Sequence, residues 1–111
     1  MTDLEGFWSA SRAPLSFKLL FTASGRGWVE YGREGEYASN TEFTWSTSSP
    51  TRLELVYGDC RETEDGDMRI TWPADEHTAH EFAVTRQDDG TLALTLAPPL
   101  KSVAVFTRQQ R

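Results

Sequence analysis

The residues best equipped for chemistry in this chain lie in Asp75-Glu76-His77-Thr78-Ala79-His80-Glu81. Imidazoles among carboxylates are the donor types that bind zinc and other divalent ions. On a helix, His77 and His80 would share a face; on a strand their odd separation puts them on opposite faces. After Pro73, residues 74–79 read as a loop entering a strand. His77 and His80 are therefore carried as candidates for a metal, or one of them for haem ligation, against the simpler reading of a solvated turn. No metal or cofactor is expected.

Other catalytic sets are hard to assemble. Cys60 is the single cysteine, and strand parity turns it outward with no histidine beside it. Serines are plentiful, but none sits in a Gly-x-Ser-x-Gly elbow. Glu62, Glu64, Asp65 and Asp67 cluster at a hairpin tip, where water keeps their pKa values together. There is no phosphate loop and no dinucleotide fingerprint. The expectation is a protein without catalytic machinery.

A second cluster depends on how the chain folds, so the elements must be read first. The 111 residues suffice for a single domain spanning 1–111. They are 38% hydrophobic and 12% aromatic, with four Trp that each need a site for ring and N–H. The net charge of −6 argues against a nucleic-acid partner, which calls for a basic patch. It suits solubility or a basic protein partner. No run approaches the ~20 apolar residues of a membrane span. The acidic start MTDLEGFW lacks a signal peptide's basic and apolar regions, and one cysteine allows no internal disulfide. A cytoplasmic location is expected.

Apolar residues alternate with a period of two, and turn clusters punctuate the runs. The alternation predicts strands at 5–10, 15–22, 26–32, 40–47, 51–62, 67–73, 79–87, 91–96 and 101–108. Loop length then decides which residues share a face. A three-residue loop Asp88-Asp89-Gly90 pairs Val84 with Leu94 and Phe82 with Leu96. Ala23-Ser24-Gly25 likewise pairs Leu19 with Val29, Phe17 with Tyr31 and, outside, Lys18 with Glu30. The two-residue loop Asp65-Gly66 aligns Met68, Ile70 and Trp72 with the face of Leu53, Leu55 and Tyr57. At Ser48-Ser49-Pro50, Trp45 is expected opposite Leu53 and Phe43 opposite Leu55. In the last strand, either Ala104, Phe106 and Arg108 face inward or a bulge intervenes. The outcome is an all-β, antiparallel up-and-down meander of eight or nine strands. Closing it into a barrel removes both exposed edges; a β-sandwich or half-open barrel is the alternative.

Gly6-Phe7-Trp8 at the start, the meander, and Arg108 near the end of the last strand together resemble the lipocalin/calycin pattern. Phe21-Thr-Ala-Ser-Gly25-Arg-Gly27 followed by Phe43-Thr-Trp45 is similar to small bacterial lipocalin-like domains of undefined function. The resemblance implies that Gly6, Trp8 and Arg108 close one barrel end, with the Arg cation over the Trp ring. It also implies binding of a small apolar or amphipathic ligand.

Parity places Tyr31, Tyr57, Asp59, Arg61 and Arg86 near one end of the lumen, with Trp45 and Trp72 among the lining aromatics. Such a mouth would orient a polar or anionic group while the rings hold the ligand's body. These seven are the expected ligand-binding residues. The alternative is an acidic protein-interaction module, of inhibitor or immunity type, using an outer face on which Trp28 sits beside Leu20.

Overall fold

The computed structural model describes residues 4–33, 36–71 and 76–108. Among them nine strands and no helix occur, so no helix is long and apolar enough to cross a membrane. The strands are β1 (Gly6–Arg12), β2 (Leu15–Phe21), β3 (Arg26–Arg33), β4 (Tyr37–Ser49), β5 (Arg52–Glu64), β6 (Asp67–Thr71), β7 (His77–Arg86), β8 (Leu92–Leu100) and β9 (Val103–Arg108). All pairings are antiparallel, and each follows from a short turn except two. β9 returns to β1 through Trp8↔Arg108, which closes the sheet. β5 pairs with β7 through Arg52–Val56. The result is an eight-stranded barrel in which β6 is an extra strand hung on the far half of β5.

The hairpins confirm most of the expected register. Leu19↔Val29, Phe17↔Tyr31 and Lys18↔Glu30 pair as loop length requires, as do Phe82↔Leu96 and Val84↔Leu94. Gly25 and Gly90 take φ of 85° and 87°, the left-handed residue that ends such three-residue loops. Asp65 and Gly66 both have positive φ, the mark of a type I′ turn. The β4–β5 hairpin is the exception. Trp45 faces Leu55, not Leu53, and Phe43 faces Tyr57, because the chain turns tightly at Pro50-Thr51 and takes up an irregularity between Thr47 and Ser49. The two-residue slip leaves the inner face unchanged.

A bulge in β5 has larger consequences. Between the pairs Thr41↔Cys60 and Phe43↔Tyr57, β4 contributes one residue and β5 two, Gly58 and Asp59. The extra residue reverses every side chain beyond it. Leu53, Leu55 and Tyr57 point inward, and so does Cys60, not Asp59 or Arg61. The flip passes on to β6, because Met68 pairs with Thr63 and Ile70 with Arg61. Met68 and Ile70, expected inside, are therefore exposed, at 66% and 41% of their surface. In β9, Phe106 is buried and Arg108 half-buried, but Ala104 is exposed, so the fully inward alternative does not hold. Val103 is buried too, and the register breaks between Thr95 and Leu100 on the facing strand, so the bulge occurs.

The interior is filled by side chains from every barrel strand, including Trp8, Leu19, Phe21, Val29, Phe43, Leu55, Leu94 and Phe106. An eight-stranded barrel is just wide enough for this. Gly27 shows how closely it packs: a Cβ there would lie 2.2 Å from the Leu20 carbonyl oxygen and 2.6 Å from the Phe43 ring.

Candidate functional site

The barrel's two ends are built differently. Where β1 begins, Trp8 is completely buried and its Nε1 donates to the Leu4 carbonyl at 2.9 Å. The Arg108 guanidinium lies over the Trp8 ring, 4.9 Å from its centroid, and donates to the Glu5 carbonyl. Gly6 has φ +134°, and a Cβ there would come within 2.9 Å of Arg108 Nη2. Glycine thus makes room for the cation. The expected grouping of Gly6, Trp8 and Arg108 is present.

Trp45 belongs to this end. It packs edge-on against Phe21, and its Nε1 donates to the carbonyls of Thr22 and Arg26 at 3.0 and 3.1 Å. Arg86 does too, because β7 runs toward this end. Its side chain is exposed and reaches the Gly90 carbonyl of its own hairpin at 3.4 Å. Neither residue joins Tyr31 and Tyr57.

At the opposite end the chain gathers polar groups inside. Tyr57 is buried, and the Thr78 hydroxyl lies 3.1 Å from its oxygen. Thr78 is also 3.0 Å from His80 Nε2, and His80 Nδ1 is 2.7 Å from the Pro98 carbonyl. A carbonyl only accepts, so Nδ1 carries a hydrogen. Burial pushes the Tyr57 phenol upward, offset in part by the Thr78 hydrogen bond. Beside this chain sits Cys60, with the Thr41 hydroxyl donating to its Sγ at 3.3 Å and Ser39 Oγ at 3.5 Å.

Two solvent-open clefts meet here at Lys101. One, of about 440 Å³, is lined by Thr41, Tyr57, Cys60, Glu76, Thr78, His80, Leu100 and Lys101 with Pro98 and Pro99. The other, of about 500 Å³, is lined by Arg12, Pro14, Leu15, Phe17, Tyr31, Lys101 and Ser102 with Ala13. Phe17 and Tyr31 stack at 5.9 Å. The Tyr31 hydroxyl is 3.4 Å from that of Tyr37. That hydrogen bond first, and burial second, push the Tyr37 pKa up to about 12.

Of the seven expected ligand-binding residues, Tyr31 and Tyr57 lie at this mouth. Arg61 points outward and pairs with Glu42 at 3.1 Å, and half-buried Asp59 occupies the bulge. Both are displaced by the parity reversal at Gly58–Asp59. Trp72 lies outside the described residues. His77 and His80 take opposite faces, as a strand requires: His77 is exposed and 3.2 Å from Glu54, whereas His80 is buried. No group of three metal-donor side chains occurs among the described residues.

Sequence reasoning missed His80, Thr78 and Cys60 as mouth residues. For Cys60 the available signal was Gly58, a small residue at which strands commonly bulge. His80 and Thr78 were an even number apart, and so on one face, two residues into the strand. Neither a protein-family model nor a curated protein matches the chain.

Proposed function

We propose that this barrel binds a small apolar or amphipathic molecule, in the manner of a lipocalin-like domain, at the end opposite Trp8 and Arg108. The observation that carries the reading is the pair of clefts meeting at Lys101, floored by Leu15, Phe17 and Tyr31 and walled by Tyr57, Thr78 and His80. Apolar surface with a few convergent polar groups is what small-molecule sites use. The body of the barrel is filled, so the ligand rests in the mouth and does not thread the lumen. The lipocalin-like assignment is an analogy of fold, supported by barrel closure through Trp8 and Arg108.

Titration with the neutral fluorophore N-phenyl-1-naphthylamine tests this. Saturable binding is expected, lost in Leu15→Arg and kept in Trp28→Ser, with thermal unfolding confirming that both variants are folded. Equal binding by wild type and Leu15→Arg would sink the proposal.

A second reading is favoured by the outer face. Phe7 and Trp28 meet edge-on at 5.9 Å beside Leu20, and a groove of about 510 Å³ runs from Leu20 and Trp28 to Val56 and Gly58. Val56 is 44% exposed. Such a strip suits a protein partner. Probe binding lost in Trp28→Ser but kept in Leu15→Arg would move the site there.

A further inference from the structure

The cleft between the β1–β2 and β8–β9 turns has an electrostatic character at odds with the rest of the chain. Acidic residues outnumber Lys and Arg by 17 to 11, yet no acidic side chain lines this cleft and two cations do, Arg12 and Lys101. Elsewhere four basic groups face carboxylates: Arg33 with Glu36, Arg52 with Glu81, Arg61 with Glu42 and His77 with Glu54. Among the described residues, neither Arg12 nor Lys101 has a carboxylate within ion-pair distance.

Both cations are held where a ligand's charged group would lie. Arg12 Nη1 donates to the Ser102 carbonyl at 3.2 Å, which ties one turn to the other and leaves further guanidinium N–H groups unused by that bond. The Lys101 ammonium stands 5.8 Å from the centroid of the Tyr31 ring. Its backbone φ of +51°, followed by +69° at Ser102, belongs to the turn that carries it there. Below lie flat or rigid apolar groups: Phe17 and Tyr31 with 24° between their ring planes, then Pro14 and Leu15.

We infer that this cleft selects an amphipathic monoanion with a flat apolar body, such as an aromatic carboxylate, its charge held by Arg12 and Lys101 and its rings against Phe17 and Tyr31. The inference rests on the mouth being a ligand site and adds the ligand's charge and shape. A guanidinium offers a carboxylate paired N–H donors, and the ammonium adds a point charge. The protein's overall negative charge would repel an anion at long range, so selectivity must come from these two groups at contact.

The test uses two ligands of one shape, 2-naphthoate and 2-naphthylmethanol, each displacing N-phenyl-1-naphthylamine. The carboxylate is expected to displace at about five- to tenfold lower concentration, since the two cations are exposed before it binds. In the double variant Arg12→Gln/Lys101→Gln the two ligands become equipotent, while Arg52→Gln, on the outer surface, keeps the preference. Equal potency in wild type overturns the charge assignment and leaves the mouth as a site indifferent to charge; a preference surviving in the double variant overturns the roles given to Arg12 and Lys101. Failure of the probe and both ligands to bind overturns this inference together with the reading on which it rests.

Discussion

Each end of the barrel sets a cation beside an aromatic ring, and the two pairs have different fates. Arg108 lies 4.9 Å from the centroid of Trp8, a ring with no exposed surface, and its N–H reaches a backbone carbonyl. Lys101 lies 5.8 Å from Tyr31, a half-buried ring, with its ammonium in water. The chemistry of attraction is shared. Burial decides the rest. At the first end Trp8 Nε1 and Arg108 Nη2 both donate to the chain's own carbonyls, and the Trp8 ring leaves no face for a visitor. At the second, Tyr57, Thr78 and His80 stand in cleft walls and the Tyr31 ring is only half-buried. A sealed end of this kind anchors the fold, and the open end is the one the proposed ligand site uses.

The largest expected effect breaks the sealed end. Trp8→Ala removes a fully buried ring and the surface on which Arg108 rests, and should cost about 3–5 kcal/mol of unfolding free energy. Lys101→Ala, the matching lesion at the mouth, should stay within about 0.5 kcal/mol, as surface substitutions do. Urea denaturation of both variants checks the contrast. Similar losses at the two ends would mean that Lys101 has a structural role.

Next comes the polar chain of the mouth. Thr78→Val keeps the shape of the side chain but strands His80 Nε2 and the Tyr57 hydroxyl, which Thr78 joins at 3.0 and 3.1 Å. A loss of about 1–3 kcal/mol is expected, the cost of leaving buried polar groups unsatisfied. Thr78→Ser, which restores the hydroxyl, should recover most of it. If both variants unfold at the same urea concentration, the chain contributes nothing to stability.

The sealed end was far more legible in the sequence than the mouth, for a physical reason. No short turn joins β1 to β9, and the grouping of Trp8 with Arg108 was legible through the resemblance of Gly6-Phe7-Trp8 and Arg108 to the lipocalin/calycin pattern; Gly25 and Gly90 declare their loop types through the left-handed backbone they permit. Parity carried along such hairpins accumulates no error. The mouth lies beyond Gly58–Asp59, where one extra residue in β5 exchanges inside and outside. The alternation of apolar residues carries no mark of the bulge, because Asp59, Arg61, Met68 and Ile70 continue the same period straight through it. Cys60 entered the interior and Arg61 left it for that single cause. Arg86 differs: it continues the face of Phe82 and Val84, but β7 carries it to the sealed end.

A pH experiment separates the ends without mutation. Tyr31, Tyr37 and Tyr57 are the three tyrosines of the chain and all belong to the mouth side. The Tyr37 pKa is raised to about 12 by its hydrogen bond to Tyr31 and by burial, and Tyr57 is raised by burial. A phenol whose folded pKa exceeds its unfolded value stabilises the fold below the unfolded value, near 10. That contribution is lost as pH rises from about 10 toward 12. Tyrosinate absorbance should therefore lag behind free tyrosine, and Tyr37→Phe should flatten the alkaline fall in stability. Because Tyr37 is partly solvent-exposed, the change will be modest. An unshifted absorbance curve would refute the Tyr31–Tyr37 contact.

The smallest expected effect is the sharpest test of how the mouth is built. The bulge in β5 turns Ile70 outward, opposite Arg61, with 41% of its surface exposed. Ile70→Thr should then change stability by no more than about 0.5 kcal/mol. Without the bulge Ile70 would share the interior with Leu55, where Leu55→Ala should cost about 2–5 kcal/mol. A near-neutral Ile70→Thr beside a costly Leu55→Ala is a signature that uninterrupted alternation cannot produce. Inserting order into the bulge by Gly58→Val adds a β-branched residue where only the Glu42 carbonyl, at 3.8 Å, stands near a new Cβ. Space permits that substitution, so any loss of probe binding it causes would report on the bulge's backbone shape. The parity reversal, and with it the placing of Cys60 inside the mouth and Arg61 outside, stands or falls on the small number measured at Ile70.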